Sequence, residues 1–339
     1  MRELALKITP QRSTQYANMT EKIAEPELLA SPLGAAITQI EHVALARQAY
    51  LLVSLDNESV SSQCLELHEI LPRLGATSEA YEFFEHIGDV SGPFLRPLET
   101  TFVPFLPLEM AEIRRYKGKT NEVFTRVLLN IAVFAGAFTQ LYTGRLRILD
   151  PLAGGGTTLF LALSDGYDAF GIEHQKKDID TTVVFLRQYL HSIHMPYKEL
   201  DERGRRTGRR YQFEIGHKGA TRRLVLAHGD TCEANLHLQE VPGGPHMHAI
   251  IGDLPYGIQH FGEIEGMLSK ALPVWESILL PGGTIALAWN ATRIERTAML
   301  GLVEKYTHLR IRNDPPYTQF VHTVDRVIKK RDILVAVKS

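Results

Sequence analysis

The stretch that decides the fold is LRILDPLAGGGTTL, residues 146–159. Its order of residue types predicts a short buried strand, a glycine loop and then a helix. Glycines let the backbone pass close to a ligand and adopt φ values that other residues avoid. The first turn of the helix offers unbonded N–H groups and the positive end of the helix dipole. We therefore expect the loop to hold a polar ligand at the carboxyl end of a parallel strand, where open α/β sheets bind their ligands.

Two common nucleotide-binding loops do not fit this stretch. A P-loop requires Lys followed by Ser or Thr after its last Gly, whereas Gly156 is followed by Thr157 and Thr158. The dinucleotide fingerprint requires a third Gly three positions after the second, and residues 154–159 do not supply it. A glycine-rich turn that binds nothing remains the alternative.

The loop instead resembles the acid-Pro-x-x-Gly-x-Gly-Thr loop of class I S-adenosylmethionine (AdoMet) methyltransferases, especially those that methylate exocyclic amines of nucleic-acid bases. The resemblance implies that AdoMet is the cofactor and that the residues binding it include Asp150, Pro151, Gly154, Gly156 and Thr157. It also implies an α/β, Rossmann-like class I methyltransferase fold: a seven-stranded, mostly parallel sheet with an antiparallel last strand, plus a smaller N-terminal region. We expect the methyltransferase domain to span residues 111–339 and the N-terminal region to span residues 1–110.

Two acidic residues follow the next strands of the expected sheet. Glu173 ends the second strand about twenty residues after the glycine loop, where an acid accepts hydrogen bonds from ribose hydroxyls. Asp230 follows the third strand, where the resembling family places an acid that bonds the adenine amino group. Its neighbour Thr231 is a second candidate for the same contact. We expect these side chains to line the AdoMet site.

A lead-in segment precedes the glycine loop. Residues 116–125, YKGKTNEVFT, resemble the lead-in of amino-methyltransferases, which touches the methionine part of AdoMet. The resemblance implies that Lys119 and Thr120 bind the AdoMet carboxylate, Lys119 through its charge and Thr120 through its hydroxyl. The alternative is an ordinary helix capped by Thr120 or Asn121, with solvated lysines.

A short turn, GDLPYG at residues 252–257, follows the buried strand at residues 249–251. It resembles the Asp/Asn-Pro/Leu-Pro-Tyr/Phe motif of amino-methyltransferases, which implies four catalytic residues: Asp253, Leu254, Pro255 and Tyr256. In that reading the Asp253 side chain and the Leu254 carbonyl accept the N–H groups of the target amine and turn its lone pair toward the AdoMet methyl group. Asp253 therefore also borders the cofactor. Pro255 fixes the turn, and Tyr256 stacks on a flipped-out base.

Composition places the chain among ordinary globular proteins. Its 339 residues are 44% hydrophobic and 22% charged with a formal net charge of −2, so any nucleic-acid contact must come from a local basic patch. Cys64 and Cys232 make neither a disulfide framework nor a zinc site, which indicates a reducing cytoplasm and no metal. Residues 1–19 lack the apolar core of a signal peptide, and the longest apolar run is too short to span a bilayer. We expect a soluble cytoplasmic protein without a membrane partner.

Residues 1–110 carry no known RNA-binding signature, so their role stays open among target recognition, a dimer surface and a structural cap. We expect a loose arm over residues 1–25 and a helix over residues 78–86. The segment Lys198–Arg223 has nine Lys and Arg against four Asp and Glu, a local charge of +5. Such a charge suits contact with a phosphate backbone, and it also suits a solvated loop.

The Asp-Leu-Pro-Tyr-Gly form of the catalytic turn resembles the tRNA guanine-N2 methyltransferase group. The resemblance implies a nucleic-acid substrate, with RNA favoured over DNA and the segment Lys198–Arg223 as the candidate contact. The alternatives are a DNA adenine-N6 or cytosine-N4 methyltransferase and a protein or small-molecule N-methyltransferase. The base, its position and the oligomeric state stay open.

Overall fold

The computed structural model describes residues 2–11, 14–62, 66–204, 208–255, 261–324 and 330–339. The chain divides into two compact units. The first unit comprises Met1–Val103 and Asn313–Arg331, and the second comprises Pro104–Arg312 and Asp332–Ser339. The sequence analysis placed a single boundary at residue 110, whereas the chain returns to the first unit near its carboxyl end.

The first unit is built on a five-stranded antiparallel sheet in the order β2-β3-β1-β4-β5. Its strands are β1 (Arg2–Ile8), β2 (Ile37–Leu45), β3 (Gln48–Leu55), β4 (Thr77–Ile87) and β5 (Val90–Pro97). Its helices are α1 (Thr14–Ala30), α2 (Asn57–Ser62) and α3 (Leu67–Ile70). The central strand is β1, whose residues Leu4, Ala5 and Leu6 are fully buried.

Two predictions for this unit are wrong. The expected loose arm over residues 1–25 instead contains β1 and part of α1, because Leu4, Leu6 and Ile8 are buried in the core. The expected helix over residues 78–86 is β4, which pairs with β1 on one side and β5 on the other. Because β1 pairs with strands far along the chain, the local pattern of either segment does not reveal its state.

The second unit contains a nine-stranded sheet in the order β13-β14-β12-β11-β6-β7-β10-β9-β8. Its strands are β6 (Arg147–Asp150), β7 (Asp168–Glu173), β8 (Tyr197–Gly204), β9 (Gly208–Ile215), β10 (Arg222–His228), β11 (Met247–Asp253), β12 (Leu279–Asn290), β13 (Arg310–Arg312) and β14 (Arg331–Val337). Its helices are α4 (Glu109–Ile113), α5 (Glu122–Ala135), α6 (Thr157–Ser164), α7 (Lys176–Ser192), α8 (Ala234–Leu238), α9 (Phe261–Ile278) and α10 (Arg296–Tyr306). Strands β10, β7, β6, β11 and β12 run parallel, so their carboxyl ends share one edge of the sheet.

The second unit is an α/β fold, as predicted, but its sheet has nine strands among the described residues instead of seven. The two additional strands, β8 and β9, form an antiparallel hairpin that extends the sheet beyond β10. At the opposite end of the sheet, β13 and β14 form an antiparallel pair, in line with the antiparallel last strand that the resemblance implies. The segment Lys198–Arg223 therefore contributes mainly to strands of the sheet.

The parallel strands are buried on both faces, as expected for a sheet covered by helices. Ile250 on β11, Leu287 on β12 and Phe170 on β7 are fully buried, and Trp275 of α9 lies in the same core. This close-packed core fixes where the carboxyl ends of the strands lie.

Across the residues that the structure describes, none of the helices combines the length and the apolar content that crossing a membrane requires.

Candidate active site

The carboxyl ends of β6, β7, β10 and β11 border a cavity of about 720 Å³ in the second unit. The residues that line it include most of the predicted site: Thr120, Asp150, Pro151, Gly154, Thr157, Glu173, Asp230, Thr231, Asp253, Leu254 and Pro255. These residues are spread over more than 130 positions of the sequence, and the parallel strands bring them together. The cavity lies at the sheet edge where the glycine loop predicted a ligand.

The three glycines of the loop differ in conformation and in the atoms around them. Gly154 has a φ of +50° and lines the cavity, and a Cβ there would meet only the Leu152 carbonyl oxygen, at 4.0 Å. A Cβ at Gly155 would overlap the ring of Tyr116. Gly156 has a φ of +86° and forms the N-cap of α6, away from the cavity lining. Gly154 thus leaves open space beside the loop, while Gly156 begins the helix.

Glu173 is held in place at the end of β7. Its Oε2 accepts a hydrogen bond from the Gly154 N–H at 2.8 Å, and its Oε1 accepts one from the Gln175 N–H at 2.6 Å. A carboxylate has about four lone-pair sites, so these two bonds leave capacity for a ligand. The side chain is therefore fixed against the glycine loop and is able to accept hydroxyl groups.

Asp150 is a buried acid at the end of β6, where it is 5% exposed. Its side chain accepts hydrogen bonds from the Leu152 N–H, at 2.9 Å, and from the Thr158 hydroxyl. Burial raises the pKa of Asp150 to about 7, with a further increase from the charges of Asp253 and Glu173, while the two hydrogen bonds act in the opposite direction. This acid consequently titrates near neutral pH.

Asp230 follows β10 and caps the short 3-10 turn at residues 231–233. Its side chain accepts the Cys232 N–H at 2.9 Å, and this bond lowers the pKa of Asp230. The adjacent Thr231 accepts the indole N–H of Trp275 at 3.1 Å. Asp230 is thus a charged acceptor at the cavity edge, and Thr231 is anchored to the core.

Thr120 and Lys119, the residues predicted to bind the AdoMet carboxylate, make different contacts in the structure. Thr120 lines the cavity, where its hydroxyl donates to Oδ2 of Asp253 at 2.6 Å. Lys119 lies outside the cavity lining: its Nζ is 3.2 Å from Oε2 of Glu122 and donates to the Glu112 carbonyl at 3.1 Å. Lys119 therefore anchors the lead-in segment, and Asn121 rather than Thr120 caps α5 by accepting the Phe124 N–H at 3.0 Å.

The catalytic turn predicted from the sequence begins at the last residue of β11. Asp253, Leu254 and Pro255 line the cavity, and the Leu254 N–H donates to the Ala288 carbonyl of β12 at 2.9 Å. Leu254 is 1% exposed, so its side chain anchors the turn in the core. Tyr256 lies outside the described residues.

Sequence reasoning did not assign twelve of the residues that line the cavity, among them Tyr116, His174, Gln175 and Met267. Tyr116 lies in the quoted lead-in segment, so an aromatic residue ahead of a glycine loop was an available signal. His174 and Gln175 directly follow Glu173 and continue the same strand end. Met267 belongs to α9, and no local pattern distinguishes it from other apolar residues of that helix.

The basic segment Lys198–Arg223 is partly used inside the protein. Arg210 is 6% exposed and donates to the His237 carbonyl at 3.1 Å, and Arg223 donates to the Pro242 carbonyl at 3.2 Å. Lys198 and Lys218 are exposed. The basic residues at positions 205 and 206 lie outside the described residues. The charge available to a partner is therefore smaller than the count of basic residues indicates.

No family model and no curated protein matches this chain. Several solved structures are similar to it. TrmN from Thermus thermophilus is 13% identical with a TM-score of 0.45, and the match covers 100% of both chains. A TehB-like SAM-dependent methyltransferase from Corynebacterium glutamicum is 12% identical with a TM-score of 0.34, over 57% of this chain and 80% of that one. The putative methyltransferase SMU.1697c from Streptococcus mutans, solved in complex with SAH, is 14% identical with a TM-score of 0.35, over 59% and 92%.

Proposed function

We propose that this protein is an AdoMet-dependent N-methyltransferase that acts on an exocyclic amine of a nucleic-acid base, with RNA, and in particular guanine N2 of tRNA, as the favoured substrate. One observation carries the proposal. The Asp253 carboxylate lies in the same cavity as the glycine loop, Glu173 and Asp230. The group expected to orient an amine thus shares one cavity with the groups expected to hold the cofactor.

The chemistry of the cavity fits AdoMet. Gly154 leaves open space beside the loop, Glu173 is a fixed acceptor for ribose hydroxyls, and Asp230 is a charged acceptor for the adenine amino group. Among the described residues, the lining contains the carboxylates of Asp150, Glu173, Asp230 and Asp253 and no Lys or Arg. A negative lining favours a positively charged ligand. When bound, AdoMet supplies a methyl group activated by its sulfonium.

Two acceptors of the chain orient the amine of the target. An exocyclic amine of a base is a poor nucleophile because its lone pair is delocalised into the ring. Accepting its N–H groups at the Asp253 carboxylate and the Leu254 carbonyl turns that lone pair out of the ring and toward the cofactor. Positioning of this kind supplies much of the rate of a transfer between two bound groups. The proton is lost after transfer, to Asp253 or to water, so a strong base is unnecessary.

The preference for RNA over DNA rests on the form of the catalytic turn, while charge bears on where either nucleic acid binds. Residues 1–103 carry 14 Asp and Glu against seven Lys and Arg, so most of the first unit is a poor surface for phosphates. Lys198 on β8 and Lys218 in the turn between β9 and β10 are exposed. We assign phosphate contact to these two lysines.

Methyl transfer from labelled AdoMet tests the proposal. The acceptors are bulk tRNA, ribosomal RNA and genomic DNA from cells that lack the protein, so that its sites are unmodified. Label in tRNA that digests to N2-methylguanosine supports the full proposal, and label in DNA alone replaces it with the DNA alternative. Label in none of the pools, with AdoMet still bound, points to protein or small-molecule substrates.

A single substitution separates orientation of the substrate amine from binding of AdoMet. Asp253→Ala should reduce transfer to a small residual rate, measured in single turnovers with excess enzyme, while AdoMet affinity, measured by calorimetry, stays nearly unchanged. The matched control is Asp89→Asn, an exposed carboxylate in the first unit. Equal loss of transfer and of AdoMet affinity in Asp253→Ala contradicts the assignment of Asp253 to the substrate.

A further inference from the structure

The first five residues of the lead-in segment, 116–120, contact both the glycine loop and the turn that begins at Asp253. At its start, the Tyr116 ring packs on the backbone of Gly155, and its hydroxyl lies 2.7 Å from Oγ1 of Thr157. At its end, the Thr120 hydroxyl donates to Oδ2 of Asp253 at 2.6 Å. Five consecutive residues therefore connect the cofactor loop to the catalytic turn.

We propose that Thr120 is a positioning residue: it holds the Asp253 carboxylate in the orientation that receives the target amine, rather than binding the AdoMet carboxylate. This inference rests on the proposed function. The hydrogen bond is short and is donated to a charged acceptor, which makes it one of the stronger kinds in proteins. A carboxylate at the end of a strand rotates about its side-chain bonds, and a bond of this strength selects one rotamer.

The backbone around Thr120 is rigid enough for this role. The next residue, Asn121, caps α5 by accepting the Phe124 N–H, and its carbonyl accepts the Thr125 hydroxyl at 3.0 Å. The preceding residue, Lys119, is tied to Glu122 by an ion pair of 3.2 Å. Thr120 is also β-branched, which restricts its own rotamers. The donor is thus fixed before the substrate arrives.

The other end of the segment is anchored to the cofactor loop. Burial raises the pKa of Tyr116, so its hydroxyl stays protonated at neutral pH and keeps its bond with Thr157. The ring covers Gly155, so the segment that carries Thr120 is held against the glycine loop.

Kinetics of Thr120 variants separate positioning from cofactor binding. Thr120→Ala should lower kcat by about 10- to 100-fold, the loss typical of one hydrogen bond to a charged group. Its AdoMet dissociation constant, measured by calorimetry, should stay within about twofold of the wild-type value. Thr120→Ser, which keeps the hydroxyl, should restore most of the rate. Ser277→Ala is the control, because this exposed hydroxyl donates to the Val274 carbonyl within α9.

A double-mutant cycle identifies the partner of Thr120. Adding Thr120→Ala to Asp253→Ala should cause no further loss of rate, since the group being positioned is already absent. An AdoMet affinity that falls as much as kcat in Thr120→Ala overturns the inference and returns Thr120 to the cofactor. A full additional loss in the double variant also overturns it.

A structure of Thr120→Val decides the positioning role without any activity measurement. Valine keeps the shape of threonine and removes the donor, so we expect the Asp253 carboxylate to leave its present orientation. An unchanged Asp253 overturns the inference. A wild-type protein that transfers no methyl group to any acceptor refutes the proposed function, while this structural result still decides the role of Thr120.

Discussion

Replacing Asp150 by Asn should stabilise the protein at alkaline pH. Asp150 is 5% exposed, and its pKa is raised from 3.8 to about 7 because burial disfavours its charged form. The folded state therefore binds a proton more tightly than the unfolded state does. Stability from this group is fully present below pH 3.8 and is lost as the pH rises through about 7. Asn carries no charge at any of these pH values, so the free energy of unfolding of Asp150→Asn does not fall in this way.

The size of the effect follows from the shift in pKa. The pKa of Asp150 rises by about three units on folding. At about 1.4 kcal/mol for each unit, this shift changes the free energy of unfolding by about 4 kcal/mol in total. About 2.5 kcal/mol of this falls between pH 5 and pH 8. The Asn oxygen can still accept the Leu152 N–H, and the Thr158 hydroxyl can either donate to that oxygen or accept from the Asn amide, so both contacts can be kept.

Urea unfolding of the protein without AdoMet, at several values between pH 5 and pH 8, measures the effect. The quantity of interest is the free energy of unfolding of Asp150→Asn minus that of the wild type. We expect this difference to increase by about 2.5 kcal/mol over that range in favour of the variant. Asp89→Asn, which changes an exposed carboxylate, serves as the control. A difference that is independent of pH would refute the reasoning.

Three further predictions concern the loop, the cofactor and the substrate. Gly155→Ala should displace the Tyr116 ring and lower the free energy of unfolding by about 1–3 kcal/mol. Adding Tyr116→Ala to this variant should recover part of the loss in urea unfolding. If the losses of the two single variants simply add, the contact between the two residues is contradicted. Glu173→Gln should weaken AdoMet binding by about 10- to 100-fold in calorimetry; an unchanged affinity removes Glu173 from the cofactor site. Replacing both Lys198 and Lys218 by Ala should lower the salt dependence of RNA affinity by about two units of the log–log slope; an unchanged slope moves the contact elsewhere.

The central strands of the second unit were predictable because each carries its own local signal. Residues 146–159 contain a buried strand, a turn that needs glycine and a helix start, and the structure places β6 and α6 there. The acids at the strand ends, Glu173, Asp230 and Asp253, follow from the same logic, because parallel strands bring their carboxyl ends to one edge. All three border the cavity.

Features that depend on distant partners were not predictable from the sequence. β4 was expected to be a helix, and its state is decided by pairing with β1 and β5. Contacts inside the site behave in the same way. The sequence grouped Lys119 with Thr120 because they are neighbours, whereas the fold directs one to Glu122 and the other to Asp253. Adjacent residues point in different directions, and only the packed structure shows which.

The division of the first unit into two chain segments limits how this protein can be taken apart. Asn313–Arg331 belongs to the first unit but joins β13 to β14 of the second. A deletion of residues 1–103 therefore leaves behind a fragment of the unit it was meant to remove, inside the connection between two paired strands. The two units are not separable by a single cut in the gene. Separating the two units by engineering requires three junctions to be treated together, after residues 103, 312 and 331.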